Sequence, residues 1–244
     1  MRIVSLNIRN GDAEDGDNSW PVRQSSLTSF LEGLDADIYC LQEVMNYQLE
    51  RILEALAGHE FVGVGRLDGQ SEGEFAPILY LKSRFQMILT ESFWLSESPT
   101  IPGSKSWGTA CERLCTIAVL RADGHELLVA NTHLDHISQL ARERGIDLIL
   151  KAMSRYDSPI RVLAGDFNAE PGNSIQQPIR AAGLCDSLEG YEESTFHDFG
   201  RLNGGRIDFI YSSGTHLTKS WIEPAAVDGR YASDHHAVVA EFES

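Results

Sequence analysis

Six short segments carry residue types that can do chemistry together: Asn7, Gln42-Glu43, Asn131-Thr132-His133-Leu134-Asp135, Gly165-Asp166-Phe167-Asn168, Arg206-Ile207-Asp208 and Ser233-Asp234-His235. Glu43 ends an apolar run, residues 38–41, and a carboxylate there is costly unless a cation meets it. A hard ion such as Mg²⁺ takes oxygen ligands and needs only one or two protein carboxylates. Asp166 and Asn168 stand two apart, so in an extended chain they point the same way. The carboxylate can then orient an attacking water, and the amide can hold that water or a phosphoryl oxygen. An Asp hydrogen-bonded to a His fixes the ring's tautomer and raises its basicity, and Asp208 with His235 can form such a pair. Asp234 can face a metal or its waters, Asn7 can complete the metal shell as a neutral oxygen ligand, and His133 can donate to a phosphoryl oxygen.

Taken singly, each segment also has an ordinary reading. Glu43 reads as a surface residue opening a helix, and Asp166 with Asn168 reads equally as an Asx-turn after a strand. Arg113 is a phosphate clamp or one half of a salt bridge. Arg66 and Glu74 flank a Gly-rich stretch, either a mobile loop over a site or a surface loop. His136 and His236 read as packing or capping residues.

The elements that must position these groups follow from periodicity and punctuation. Strands are predicted at residues 2–8, 38–44, 61–64, 78–81, 87–95, 160–164, 207–211, 217–222 and 237–242. Residues 114–121 and 126–133 read as a hairpin turning at Asp123-Gly124. Helices are predicted at 21–34, with Pro21 at its first position, and at 47–56, 138–155 and 175–182. Many strands with helices in two separate blocks predict an α+β layered fold. Asn7, Glu43, His133, Asp166 and Asp208 are all expected at strand C-termini or just past them, which would gather them at one sheet edge.

The 244 residues carry a formal charge of −16, with 42% hydrophobic and 23% charged residues. That surface repels long polyanions, and no Lys/Arg cluster offers the basic face that duplex nucleic acid requires. No run of eighteen apolar residues predicts a membrane span, and the N-terminal stretch reads as a first strand rather than a secretion signal. Cytoplasmic location follows as the default. Cys111 and Cys115 lack the second Cys/His pair that a zinc site needs, so Cys40, Cys111, Cys115 and Cys185 are expected to be free thiols in a reducing compartment. No low-complexity linker or short repeat divides the chain, so residues 1–244 are expected to form one catalytic domain.

In order along the chain, N, QE, THLD, GDFN, RID and SDH resemble the endonuclease/exonuclease/phosphatase (DNase I-like) superfamily, from Asn7 to His235. Residues 65–69 with Gly73-Glu74, and residues 93–97, resemble a compact bacterial branch similar to deadenylase- and nocturnin-type catalytic domains. The resemblance implies a four-layer α/β/β/α sandwich of two mainly antiparallel sheets flanked by helices, with Mg²⁺ or Mn²⁺ as cofactor. It implies that Glu43 is the principal metal ligand with Asn7 beside it, and that Asp166 and Asn168 orient the nucleophile. It further implies that His133 contacts the scissile phosphate and that Asp234 is the carboxylate beside the Asp208–His235 pair. The chain departs from the family's abasic-site nucleases, which carry an acid where Arg9 stands and Tyr where His133 stands. The expected activity is metal-dependent hydrolysis of a phosphodiester or phosphomonoester by in-line attack of water. The expected substrate is a small phosphorylated compound or a short single-stranded nucleic acid, bound with help from Arg66 and Arg113 by a monomeric enzyme without a membrane anchor. A sphingomyelinase-type lipid phosphodiesterase, with an aromatic rim from Phe93, Trp94 and Trp107, is the alternative enzyme. A non-catalytic binding module on the same fold is the alternative outside catalysis.

Overall fold

The computed structural model describes residues 1–243. The first half runs β1 (Arg2–Asn7), α1 (Trp20–Leu34), β2 (Ile38–Gln42), α2 (Asn46–Ala55), β3 (His59–Val62) and β4 (Ile78–Leu81). The second runs β5 (Gln86–Trp94), β6 (Leu114–Ala122), β7 (His125–His133), α3 (Gln139–Met153), β8 (Ile160–Asp166), α4 (Gln176–Ala181), β9 (Cys185–Asp186) and β10 (Asp208–Ser213). Then follow β11 (Leu217–Glu223), β12 (Ala226–Val227), β13 (Arg230–Tyr231) and β14 (Ala237–Phe242). Two six-stranded sheets form, ordered β11-β14-β1-β2-β4-β3 and β5-β6-β7-β8-β10-β9. Each is antiparallel except for one parallel pair, β1 with β2 and β7 with β8. A helix, α1 or α3, makes the crossover that a parallel pair requires.

Three apolar layers hold the four structural layers together. Leu27, Leu31, Leu49 and Ile52 of α1 and α2 pack with Val4, Leu6 and Leu41 on the outside of the first sheet. Ile146, Ile149 and Ile179 of α3 and α4 pack with Leu128, Leu163 and Phe209 on the outside of the second. Between the sheets lie Ile3, Ile38, Cys40, Val129, Val162, Ala164, Ile210 and Val238. The fold is therefore an α+β sandwich of the α/β/β/α kind. Among the described residues, no helix is long and apolar enough to cross a membrane.

Strand alternation decides where the polar residues go. Side chains two apart share a face, so Asn7 follows Ile3, Gln42 follows Cys40, and Asn131 and His133 follow Val129. Asp166 follows Ala164 in the same way, and Asp208 precedes Ile210. All six thus continue the inter-sheet layer toward one edge. Register aligns them further: Asn7 pairs with Gln42, His133 with Asp166, and Asp208 with Asp166. One expectation needs correction here. Asp208 begins its strand rather than ending it, and it reaches the common edge because β10 runs antiparallel to β8. The Asp123-Gly124 hairpin is formed with both residues at positive φ, 51° and 83°, as a two-residue turn of the twisted kind requires.

Gly165 has a steric reason to be glycine. Its φ is +148°, and a Cβ there would lie 2.0 Å from the Thr132 carbonyl oxygen on β7. Gly165→Ala should therefore destabilise the fold by roughly 2–4 kcal/mol, read as a shifted denaturant midpoint at unchanged slope.

Candidate active site

The residues at the shared edge line one cavity of about 700 Å³, which includes Glu43, His133, Asp166, Asn168, Asp234, His235, Arg66 and Arg113. Volumes of this order suit a small ligand. Asn7 and Asp208 lie buried beneath the lining. Asn7 Nδ2 donates to Glu43 Oε1 and to Asp166 Oδ2, each at 3.0 Å, while its Oδ1 accepts the Arg9 N–H at 2.9 Å. Asn7 thus ties the carboxylate of the first sheet to that of the second. Glu43 Oε2 accepts the Asn10 N–H at 2.8 Å. Burial pushes the Glu43 carboxyl up, but the bonds from Asn7 and Asn10 outweigh it and hold the group below its ordinary range. Both Glu43 and Asn168 sit in the left-handed region, φ 58° and 46°. Such strain at a non-glycine residue persists only where its surroundings impose it.

Asp166 forms the Asx-turn and also lines the cavity. Its Oδ1 accepts the Asn168 N–H at 2.9 Å, and its Oδ2 takes Asn7. Burial, together with the nearby Asp208 charge, pushes its carboxyl up to about 7. Asn168 Nδ2 donates to the Leu134 carbonyl and to His133 Nε2, both at 3.0 Å. His133 is held neutral by burial and by Arg113, and with Nε2 accepting, its proton sits on Nδ1, which is buried without a partner. His133 Nε2 is the ring atom turned to the site, 3.4 Å from Asp166 Oδ2.

The expected Asp–His pair is formed: His235 Nδ1 donates to Asp208 Oδ2 at 2.9 Å. Burial alone would lower the imidazole, but Asp208 beside it, with Asp166 and Asp234, raises it to about 10. His235 is therefore an imidazolium, with Nε2 3.9 Å from Asp166 Oδ2. Asp166, Asp208 and His235 bring one ligand atom each within 4.8 Å of one another. That trio is a poor cation site, since a protonated imidazole cannot ligate. The hard-oxygen donors Glu43 and Asp234 suit a divalent ion better. Burial and the neighbouring Glu43 charge raise the Asp234 carboxyl, a crowding that a cation would relieve.

Arg66 and Arg113 face the cavity around Glu74, which also accepts from Asn10 Nδ2 at 2.8 Å. The Gly-rich stretch is a closed loop, pinned where Arg66 N–H meets the Glu74 carbonyl at 3.0 Å and where the buried Trp94 indole donates to the Arg66 carbonyl at 2.6 Å. Trp94 is thus a core residue and not part of an exposed rim. His136 Nδ1 lies 3.3 Å from Arg113, and His236 stacks on His197 with ring centroids 4.0 Å apart.

Several residues beyond the expected set matter. Arg9 lines the cavity and pairs with Asp15 through both Nε and a terminal nitrogen. Gln42 donates to Asn131 across the sheets at 2.8 Å, directly beneath Glu43 and His133. Arg23, fully buried, donates to the carbonyls of Ile8, Arg9 and Ala232 and so joins the loop after Asn7 to the loop before Asp234. Its position in α1 carried a signal: Arg23 falls at helical spacing on the apolar face of Trp20, Leu27 and Leu31.

Comparison with known proteins gives a consistent picture. The model of the Endonuclease/Exonuclease/phosphatase family matches residues 4–235. An endonuclease/exonuclease/phosphatase from Bacteroides vulgatus is similar over 99% of this chain and 98% of its own, with 29% identity and a TM-score of 0.93. A mannosyl-6-phosphatase from Bacteroides thetaiotaomicron is 30% identical over the whole of both chains, with a TM-score of 0.89. Nocturnin from Drosophila melanogaster is 27% identical over 185 residues, which is 70% of this chain but 27% of that protein. The chain thus spans about a quarter of the length of that curated relative.

The charge on His235 depends on Asp208, and this can be measured. The raised folded value gives stability that is fully present below the ordinary 6.5 and is lost as pH rises through about 10. Asp208→Asn should lower the His235 ring from that value, because the largest raising influence is removed while Asp166 and Asp234 remain. Ring resonances followed by NMR through a pH titration should show this fall, and the alkaline loss of stability should move to lower pH with it.

Proposed function

Since this chain belongs to the endonuclease/exonuclease/phosphatase family and is a hydrolase of phosphate ester bonds, we propose that it cleaves a small phosphorylated compound with the help of Mg²⁺ or Mn²⁺. The convergence of Glu43, Asp166, Asn168, His133 and the Asp208–His235 pair on one cavity edge carries this reading. Glu43 would be the principal ligand of the ion, with Asp234 facing the ion or its waters and Asn7 holding Glu43 in place. When bound, the ion supplies Lewis-acid stabilisation of charge on the phosphoryl oxygens.

The chain's own groups divide the remaining work. Asp166 has both oxygens fixed by Asn7 and Asn168 and sits near neutrality, so it accepts the proton of an attacking water. His133 contacts the phosphoryl group from the cavity wall, and the His235 imidazolium donates to its oxygens as charge builds. Asn168 holds the His133 ring in place through Nε2 at 3.0 Å. Arg113 and Arg66 draw the anionic substrate to this wall.

A phosphosugar is the better-supported substrate. The 30% identical relative is a mannosyl-6-phosphatase, and the cavity wall offers Asn10, Asp12, Glu74 and Arg113 as hydrogen-bonding groups. Phe196 is the aromatic residue lining the cavity, and its ring already packs on His235 at 4.9 Å, which leaves a poor stacking platform for nucleobases. The charge of −16 further disfavours long nucleic acid. Free thiols at Cys40, Cys111, Cys115 and Cys185 suit a reducing, cytoplasmic compartment.

With Mg²⁺ present, a panel of hexose phosphates, nucleotides, oligo(A) and sphingomyelin should show turnover greatest on the hexose phosphates. Glu43→Ala and His235→Ala should each cost about 10²–10⁴-fold in kcat/KM with the fold intact. Near-wild-type turnover in either variant sinks the assignment. The pH–rate profile should have an acid limb at or below about 7, where Asp166 takes up its proton, and Asp166→Asn should abolish activity rather than shift that limb.

A further inference from the structure

His136 and His236 both read in the sequence as packing or capping residues, and the structure separates them. His236 stacks on His197, whereas His136 is exposed and lines the cavity. The turn that carries His136 is fixed from beneath. The buried Asp135 carboxylate accepts the N–H groups of Ile137 at 3.0 Å and Ser138 at 2.7 Å through Oδ1, and that of Ala110 at 2.9 Å through Oδ2. Ser138 Oγ donates to the Trp107 carbonyl at 2.6 Å, and Arg142 donates to the Asp135 carbonyl at 2.7 Å. An exposed ring on a backbone pinned in this way has its place set before any ligand arrives.

The ring is also fixed in what it offers. Arg113 Nη2 lies 3.3 Å from His136 Nδ1. A guanidinium has donors and no acceptor, so Nδ1 carries the lone pair and the ring proton is on Nε2. Among the described residues, none accepts from that Nε2–H. Arg113 itself is only 7% exposed and lines the inner end of the cavity with Glu43, Glu74 and His133. It therefore lies between the buried end of the cavity and His136, and His136 stands at the outer end with one N–H to give.

We infer that His136 is a substrate-recognition residue whose Nε2–H donates to a hydroxyl oxygen of the sugar that carries the phosphate. The inference rests on the phosphosugar reading. The phosphoryl group has His133, His235 and Arg113 deeper in the cavity, so a donor at the exposed end meets what the phosphate is attached to. A hydroxyl oxygen accepts such a bond, and a few placed polar groups fix the orientation of a small ligand. His136 thus selects the leaving group and moves no proton in the reaction.

Steady-state kinetics with Mg²⁺ test it on the whole chain, using mannose 6-phosphate and phenyl phosphate, which carries the same phosphoryl group without hydroxyls. His136→Ala should lower the ratio of kcat/KM on mannose 6-phosphate to that on phenyl phosphate by about three- to tenfold, mainly through KM, the range that one neutral hydrogen bond supplies. His136→Gln keeps an N–H at the reach of Nε2 and should recover most of the ratio. A phosphoryl contact would cost both substrates equally, so an unchanged ratio in His136→Ala overturns the inference while leaving the phosphosugar reading standing. His136→Gln behaving as His136→Ala overturns it as well, because the donor is then not what matters. Wild-type turnover of phenyl phosphate without turnover of mannose 6-phosphate overturns the phosphosugar reading and the inference with it. Circular dichroism and thermal melting establish that both variants are folded.

Discussion

Two buried amide contacts fix the spacing between the sheets at the edge where the chemistry lies, and the site depends on them. Gln42 on the first sheet donates to Asn131 on the second, and Asn131 in turn donates to the carbonyls of Leu41 and Pro77. One step nearer the solvent, Asn7 reaches from β1 to Asp166 on β8. An apolar sheet interface specifies distance loosely, because its contacts are non-directional. Directional hydrogen bonds between buried amides specify it to a fraction of an ångström, and leaving one unmade is costly. Glu43 and His133 each follow one of these latches within two residues, so their separation is inherited from the latch.

Above that level the site is organised by charge. Acidic groups crowd at the edge, and each is offset by something specific: His235 for Asp208, Arg9 for Asp234, hydrogen-bond donors for Glu43. Asp166 is the exception, with its carboxyl near neutrality because burial and Asp208 oppose ionisation. A group that is least compensated in the resting protein is the one best able to take a proton during a reaction. On the far wall Glu74 does the reverse, holding two arginines in place around one carboxylate.

Much of this was legible in the sequence, for physical reasons. Residues 78–81 and 237–242 are short, nearly continuous apolar runs, and their strands have those bounds. The helix at 20–34 was marked by Pro21, and the one expected at 138–155 runs 139–153 with Ser138 capping it. Strands of two residues, β9, β12 and β13, are too short to have a period and left no trace. The ordered motifs placed the carboxylates and histidines in one cavity. Gln42 and Asn131 stood in the motifs, but their contact with each other escaped, because it lies across the sandwich and no local spacing encodes it. Asp208 was assigned to the wrong end of its strand, since residue type does not reveal the direction in which a strand runs.

The hairpin at Asp123-Gly124 has a consequence for the molecule as a scaffold. It caps the end of β7 opposite His133, and nine residues of strand put it about 30 Å from the cavity. The chain therefore has a working pole and an inert pole, joined by strands whose interiors are committed to packing. Sequence at the working pole can drift in its loops without disturbing the sandwich, whereas the inert pole tolerates fusion, labelling or surface attachment without approaching the substrate. Immobilising the protein through residues 123–124 would present every copy with its cavity facing outward.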